Sequence, residues 1–330
     1  MSRAEYMDRI IAKEESSIDV FQRAKALADY NVSLLITGES GTGKDVLSRY
    51  IHENSCRRKK AFVHINCNTI PDSLFSSEFF GYASGSFTGA SGRGKSGFVE
   101  VANGGTLFID EVGDLSPENQ VKLLQFTNDQ HFYRVGENRS RTADVRMIFA
   151  TNVDLKKAIH EGTFREDLYY RISGVTFELL PLRERKKDLE ALLERFCKEA
   201  QDSFHISKTF SADAVEFLKV QVWPGNIREL YHLIQKIYIV EPEEVITAKL
   251  LSGYLPDFVD PSSEKQASME KSQEGNRSLR EAVAAFEQSY ISECLQSSAT
   301  RTEAAEKLGI TRAALYNKCR KYGLLESIKP

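Results

Sequence analysis

Long apolar runs are missing from this 330-residue chain. None reaches the roughly 18 residues needed to cross a bilayer, and the N-terminus lacks the basic, apolar and small-residue succession of a signal peptide. A membrane span and export are excluded on that reading, and a cytoplasmic protein is expected. Cysteine is scarce: Cys56, Cys67, Cys197, Cys294 and Cys319 are odd in number and show no C-x-x-C spacing. That pattern fits reduced thiols rather than disulfides or zinc. The six histidines show no H-E-x-x-H pattern, so the chain offers no metal centre of that kind. Excess charge is missing too, since a net −3 excludes a globally basic nucleic-acid protein. The charge is nevertheless uneven. From Arg301 to Leu324 six basic residues face two acidic ones, a local +4 that leaves −7 for the rest. A basic tail on an acidic body is the asymmetry of a chain whose one end meets nucleic acid.

At this length, with 41% hydrophobic and 28% charged residues, about two domains are expected. The stretch that organises them is Leu34 to Asp45, LLITGESGTGKD. The β-formers Leu34, Leu35, Ile36 and Thr37 give way to Gly38, Glu39, Ser40, Gly41, Thr42 and Gly43, and then to Lys44. A buried strand, a glycine-rich loop and a helix start are therefore expected. Such a loop lets backbone N–H groups curl around phosphate oxygens while a lysine reaches the β and γ phosphates. The pattern G-x-x-x-x-G-K-[ST] is complete through Lys44 and fails at Asp45, where a hydroxyl would ligate Mg²⁺. Either the metal is held differently or the site is impaired. The competing reading is a glycine-rich turn without ligand.

Around this loop, strands and helices alternate as in a parallel α/β sheet. Residues 1 to 30 lead in with an amphipathic helix in their second half, Lys44 to Glu53 continues as a helix, and Ala61 to Asn66 forms a strand. Gly104 to Glu111, GGTLFIDE, is a strand ending in two acids, where ligands of open α/β sheets sit. Asp110 is suited to hold Mg²⁺ and Glu111 to polarise an attacking water; a solvated loop or helix cap is the plain alternative. Val145 to Thr151 is a further strand, with Asn152 at its end placed to sense a γ-phosphate. In Phe164 to Arg171, FREDLYYR, Arg165 and Arg171 fall near the end of a helical segment. They are either fingers for a neighbouring subunit's phosphates or a salt-bridged helix face.

From Arg185 to Val240 strands vanish and apolar residues recur at helical spacing, which predicts a small helical subdomain. Trp223-Pro224-Gly225-Asn226 breaks it and starts a last helix near Ile227, with Arg228 on the first turn to touch a phosphate. Residues 255 to 276 are polar and read as a flexible linker. Leu279 to Leu295, Thr302 to Leu308 and Arg312 to Tyr322 are helical, and Gly309-Ile310-Thr311 makes a tight turn with Thr311 as cap. That is a helix-turn-helix, or else a plain three-helix module. Arg312, Asn317 and Lys318 could reach base edges, while Arg320 and Lys321 meet phosphates. The expected boundaries are 1–184 for the α/β part, 185–254 for the helical lid, 255–276 for the linker and 277–330 for the DNA-binding domain.

These pieces together resemble the bacterial enhancer-binding proteins, sigma-54-dependent transcriptional activators of the AAA+ class, over about residues 10 to 325. The most telling element is Gly85 to Ala90 (Gly85, Ser86, Phe87, Thr88, Gly89, Ala90), GSFTGA, which departs from the family's G-A-F-T-G-A at Ser86 only. The resemblance implies that this loop engages the sigma factor through Phe87 and Thr88. It makes GGTLFIDE the second nucleotide motif, Asn66 the partner that restrains the catalytic Glu111, and Thr151 with Asn152 the first sensor. It makes Arg165 and Arg171 fingers acting in trans, Arg228 the second sensor, and Arg134 to Arg141 the second pore loop. Acidic residues commonly follow the loop lysine in this family, so Asp45 ceases to signal inactivity. The C-terminal helices resemble a Fis-type DNA-binding domain.

The implied protein is an ATP- and Mg²⁺-dependent ATPase that forms a homo-oligomeric ring, expected to be a hexamer. It would bind enhancer DNA and remodel the closed complex of the sigma-54 RNA polymerase holoenzyme. Many relatives carry an N-terminal receiver or ligand-sensing domain that is absent here, which implies either a regulator acting in trans or a longer parent chain. The rivals are another AAA+ protein remodeller or helicase loader, and a DNA-binding regulator with a vestigial nucleotide site.

Overall fold

The structure is a computed structural model that describes residues 10–86, 94–255, 288, 291, 295, 304, 305 and 307–322. It divides into two units, Met1–Phe258 and Val259–Pro330.

The first unit is built on five parallel strands: β1 (Leu34–Thr37), β2 (Phe62–Asn66), β3 (Thr106–Asp110), β4 (Arg146–Thr151) and β5 (Val175–Glu178), in the order β2-β3-β4-β1-β5. Successive side chains of a strand point to opposite faces, and helices cover both, so these strands read as continuous apolar runs. Leu35, Leu107, Ile109 and Phe149 enter one core with Phe75, Phe79 and Phe126. Leu34, Ile36, Phe108, Ile148 and Phe177 enter the other with Val20, Ala24, Leu47 and Ile51. The helices involved are α1 (Glu15–Ala26), α2 (Lys44–Glu53), α3 (Asp72–Phe79) and α4 (Pro117–Asp129). Register then does the work that positions the site. Thr37 pairs with Thr151 and Asn66 with Asp110, so the ends of β1, β2, β3 and β4 meet at one edge of the sheet.

Two short helices follow β4, α5 (Leu155–His160) and α6 (Glu166–Ile172). Arg165 is the residue before α6 and Arg171 lies in its last turn, so only Arg171 stands near the end of a helix, where both arginines were expected. The helical lid consists of α7 (Lys186–Phe204), α8 (Ala212–Lys219) and α9 (Asn226–Val240), packed around Trp223, Leu189, Leu230, Ile234 and Tyr238. Trp223 is buried and donates its indole N–H to the Leu218 carbonyl at 2.9 Å. The expectation that strands vanish after Arg185 is corrected here, because Thr209–Phe210 pairs with Val245–Ile246. Two residues per strand are too few to leave a periodic signal.

The insertion after α3 starts with Gly81–Tyr82, which pairs with Lys95–Ser96, while His131–Phe132 pairs with Arg141–Thr142. A bridge between Tyr82 and Val135 joins the two hairpins. In the second unit, α10 (Arg312–Lys321) is capped by Thr311, whose hydroxyl accepts the Ala314 N–H at 3.2 Å. Ile291, Ala304, Ala305, Leu315 and Cys319 form its core. Among the described residues, no helix is long and apolar enough to cross a membrane.

Candidate nucleotide site

The glycine-rich loop leaves β1 at the meeting edge of the sheet, and each of its carbonyls from Gly38 to Thr42 accepts a hydrogen bond. Lys44 Nζ donates to the Gly38 carbonyl at 3.0 Å and to that of Glu39 at 3.3 Å. Thr42 Oγ1 also donates to the Glu39 carbonyl, at 2.8 Å. The Ser40 carbonyl takes Asn226 Nδ2 at 3.0 Å, that of Gly41 takes the Ile227 N–H at 3.0 Å, and that of Thr42 takes Arg185 Nη2 at 3.1 Å. With the Ser40, Gly41 and Thr42 carbonyls held by the lid and those of Gly38 and Glu39 by Lys44, the N–H groups of the loop and of the first turn of α2 are the ones left to face an anion. Gly41 has φ +78, and a Cβ there would come within 2.3 Å of the Gly225 carbonyl. Gly43 caps α2 in the left-handed region at φ 98. Only glycine fits the close approach at the first position without displacement.

Lys44 is buried, and its ammonium lies 3.8 Å from Glu111 Oε1. Glu111 takes φ 53, an unusual value for a side-chain-bearing residue, at the strand end. Its second oxygen accepts the Asn152 N–H at 3.2 Å. Burial holds the Glu111 carboxyl above the usual carboxylate range, and the Lys44 charge opposes that shift. Asp110 Oδ1 accepts the Glu111 N–H at 3.0 Å, and Oδ2 is 3.7 Å from His64 Nε2, a neighbour that no motif announced.

The remaining expected residues fall as follows. Asn66 pairs in register with Asp110, but its side-chain carbonyl accepts the Asn68 N–H at 2.9 Å, so that oxygen serves the local turn. Thr151 is fully buried and its hydroxyl accepts the Val153 N–H at 3.0 Å, whereas Asn152 is exposed. Asp45 is exposed on the first turn of α2. Arg228 reaches Ser40 Oγ with Nη1 at 3.2 Å. A cavity of about 550 Å³ opens beside the loop, bounded by Thr42, Asp45 and Arg228 on one side and by Phe21, Phe196 and Tyr231 on another. Phe196 and Tyr231 meet edge to face at 5.2 Å. A chamber with aromatic walls, lined also by Arg185, Arg195 and Glu199, next to a phosphate cradle has room for a planar base. Sequence reasoning missed it, because its walls come from α1, α7 and α9.

Three lid residues without a motif of their own hold the loop. Arg183 makes a two-pronged ion pair with Glu39 at 2.7 and 3.0 Å, and its guanidinium keeps the Glu39 carboxyl below the usual range. Asn226 also donates to Glu39 Oε2 at 3.1 Å and accepts the Leu182 N–H at 2.7 Å. Arg185 supplies the bond to Thr42 already described.

Arg165 and Arg171 lie apart from this cradle. Arg165 is exposed and paired with Asp167 at 2.7 and 3.0 Å. Arg171 donates to the Thr127 and Asn128 carbonyls at the end of α4. It lines a cavity of about 300 Å³ with Asn31, Ser33 and Val145, residues that precede β1 and β4. That is the opposite edge of the sheet from the loop, a distance of about 13 Å along β1 alone at ~3.3 Å per residue.

Of the expected sigma-factor contact, Gly85 and Ser86 are described, and Phe87, Thr88, Gly89 and Ala90 lie outside the described residues. Ser86 packs on Gly136, where a Cβ would come within 2.4 Å of it. In the neighbouring hairpin Arg134 holds Glu100 at 2.6 and 2.7 Å, and Arg141 holds Glu137 at 3.0 and 3.1 Å. On α10, Arg312, Asn317, Arg320 and Lys321 are exposed and Lys318 is half-buried; the Thr311 hydroxyl is engaged as the cap. Among the described residues no group of three or more His, Cys, Asp or Glu side chains forms a metal site.

The parallel sheet, the glycine loop that closes onto a lysine, the acidic strand end and the helical lid define a P-loop protein of the AAA+ class. The Sigma-54 interaction domain family model matches residues 10–178, the AAA+ ATPase lid domain matches 183–268, and the bacterial regulatory protein, Fis family, matches 282–322. The chain is 40% identical over 301 residues to a sigma-54-dependent transcriptional regulator, UacR, of Escherichia coli (strain K12), covering 89% of this chain and 50% of that one. It is 35% identical over 338 residues to the DNA-binding transcriptional regulator NtrC of Rhizobium meliloti, covering 96% and 70%. A crystal structure of NtrX from Brucella abortus in complex with ATP superposes with a TM-score of 0.71 at 31% identity, over 97% of this chain and 72% of the other. The chain belongs to the sigma-54-dependent transcriptional regulator family, and it spans about half the length of UacR.

Proposed function

We propose that the chain is an ATPase that assembles into a ring, taken as a hexamer, and uses hydrolysis to remodel the closed promoter complex of sigma-54 RNA polymerase. ATP occupies the cradle of Gly38, Glu39, Ser40, Gly41, Thr42, Gly43, Lys44 and Asp45, with its base in the aromatic chamber. The observation that carries this reading is the set of loop carbonyls already bonded by the lid and by Lys44, which leaves N–H groups for phosphate oxygens. Asp110, a mostly buried carboxylate at the strand end, would hold Mg²⁺, which would screen the phosphate charge when bound. Glu111 accepts the proton of the attacking water and Asn152 reports on the γ-phosphate. Asn66 restrains Glu111 through its amide, with Thr151 bracing the sensor turn and Arg228 touching the phosphates from the lid.

Arg165 and Arg171 complete a neighbour's site, a role supported by the remoteness of Arg171 from its own loop. Gly85 to Ala90 contacts the sigma factor. Thr311, Arg312, Asn317, Lys318, Arg320 and Lys321 bind enhancer DNA, within a domain at 277–330 that a linker at 255–276 joins to the lid (185–254) and the α/β part (1–184). The protein works in the cytoplasm. ATP turnover per subunit, measured against protein concentration, tests the assembly: it rises steeply as rings form, and Arg165→Ala still binds ATP yet hydrolyses it about 10³-fold more slowly. Turnover independent of concentration, with an unimpaired Arg165→Ala protein, would overturn the reading.

A further inference from the structure

Three lid groups hold loop carbonyls, those of Asn226, Ile227 and Arg185, and the hold of Arg185 continues towards the start of α1. Arg185 donates to the Thr42 carbonyl and lies 3.9 Å from Asp188, one turn further along α7. Asp188 is fully buried, and its carboxylate accepts the backbone N–H groups of Lys13 and Glu14 and the hydroxyl of Ser17. Glu14 in turn accepts the Lys187 N–H at 3.2 Å and pairs with the Lys187 ammonium at 3.7 Å. The entrance to α1, the start of the lid helix and the last carbonyl before Gly43 are thus one connected polar cluster. Burial disfavours the charge on Arg185, and its Nε–H is buried without an acceptor. A residue kept for packing alone would not carry that unsatisfied donor; an apolar side chain of similar size would serve better.

We propose that Arg185 is a positioning residue for nucleotide binding, holding the Thr42 carbonyl outward so that the loop N–H groups face the phosphates, and that Asp188 makes this hold depend on the first turn of α1. A shift of residues 13–17 thereby loosens or tightens the cradle without touching the ligand. This inference rests on the nucleotide reading of the loop and deepens it.

Titration of the full chain with a fluorescent ATP analogue tests it, alongside thermal melting of the unliganded protein. A hydrogen bond from a charged group changes a binding constant by about tenfold or more, so Arg185→Gln weakens binding by at least that factor, and Arg185→Lys, which keeps one charged donor, recovers most of the loss. Ser17→Ala removes one of the three donors to Asp188 and weakens binding about two- to fivefold. A merely structural role would lower the melting temperature and leave the dissociation constant unchanged, which overturns the proposal. Wild-type affinity in Ser17→Ala overturns the link to α1, and that variant decides the matter where Arg185→Gln does not fold. Absence of binding in the unmodified chain, matched by Lys44→Ala, would instead sink the nucleotide reading itself.

Discussion

Asn226→Asp changes the hydrogen-bonding role of one atom and leaves shape nearly untouched. Asn226 is fully buried with φ 51, a conformation Asp tolerates as Asn does, so the backbone is not newly strained. The bond from the Leu182 N–H at 2.7 Å survives, because the acceptor oxygen is kept. The two donor bonds, to the Ser40 carbonyl and to Glu39, are lost, and an oxygen now faces both acceptors. A lost neutral bond costs about 1 kcal/mol, the one to half-exposed Glu39 adds ~1, and the new repulsion brings the sum to about 2–4 kcal/mol. At roughly 2–4 °C per kcal/mol for a domain of this size, melting falls by about 4–16 °C at pH 7.

The pH dependence has a definite sign. Burial and Glu39 raise the new carboxyl's pKa in the folded state above its unfolded value, so between the two values the folded protein binds more protons, and stability increases as pH falls through the raised pKa towards the unfolded one. Thermal melts and ATP-analogue titrations at pH 7 and pH 5 provide the assay. A variant that melts within about 1 °C of the parent at pH 7 and binds equally well would refute the view that these bonds hold the loop.

Glu111→Gln keeps nucleotide binding and slows hydrolysis by about 10²–10⁴-fold in a steady-state assay, because a base within reach of water is lost. Since burial raises the Glu111 pKa, the acid limb of the wild-type rate falls at a pH above the ordinary glutamate value, and a limb at or below that value contradicts the assignment. Gly41→Ala drives a Cβ into the Gly225 carbonyl at positive φ, so it weakens nucleotide binding and lowers the melting temperature together, read by titration and calorimetry. Arg320→Ala lowers DNA affinity across all sequences and reduces the salt slope of binding by about one, measured by fluorescence anisotropy at several salt concentrations.

The parts of the site legible in the sequence are those whose chemistry is contiguous. LLITGESGTGK and GGTLFIDE each place strand, turn and functional group within a dozen residues, and the sheet brings their ends to one edge through register. The lid's grip was not legible, because Arg183, Arg185 and Asn226 reach the loop across more than 140 residues, and two of their bonds go to backbone carbonyls, which leave no trace in residue type. The aromatic chamber was hidden for the same reason. Asn66 and Thr151 illustrate the converse limit: each occupies its expected place at the strand edge, but the oxygen that a motif marks is engaged by the next turn.

The most direct test of the account is retention of sigma-54 on the immobilised chain in the presence of a nucleotide transition-state analogue, for the parent and for Thr88→Ala. The account predicts capture that requires the analogue, vanishes in Lys44→Ala, and vanishes in Thr88→Ala although that variant still hydrolyses ATP. Capture without nucleotide, or undiminished capture by Thr88→Ala, would contradict it.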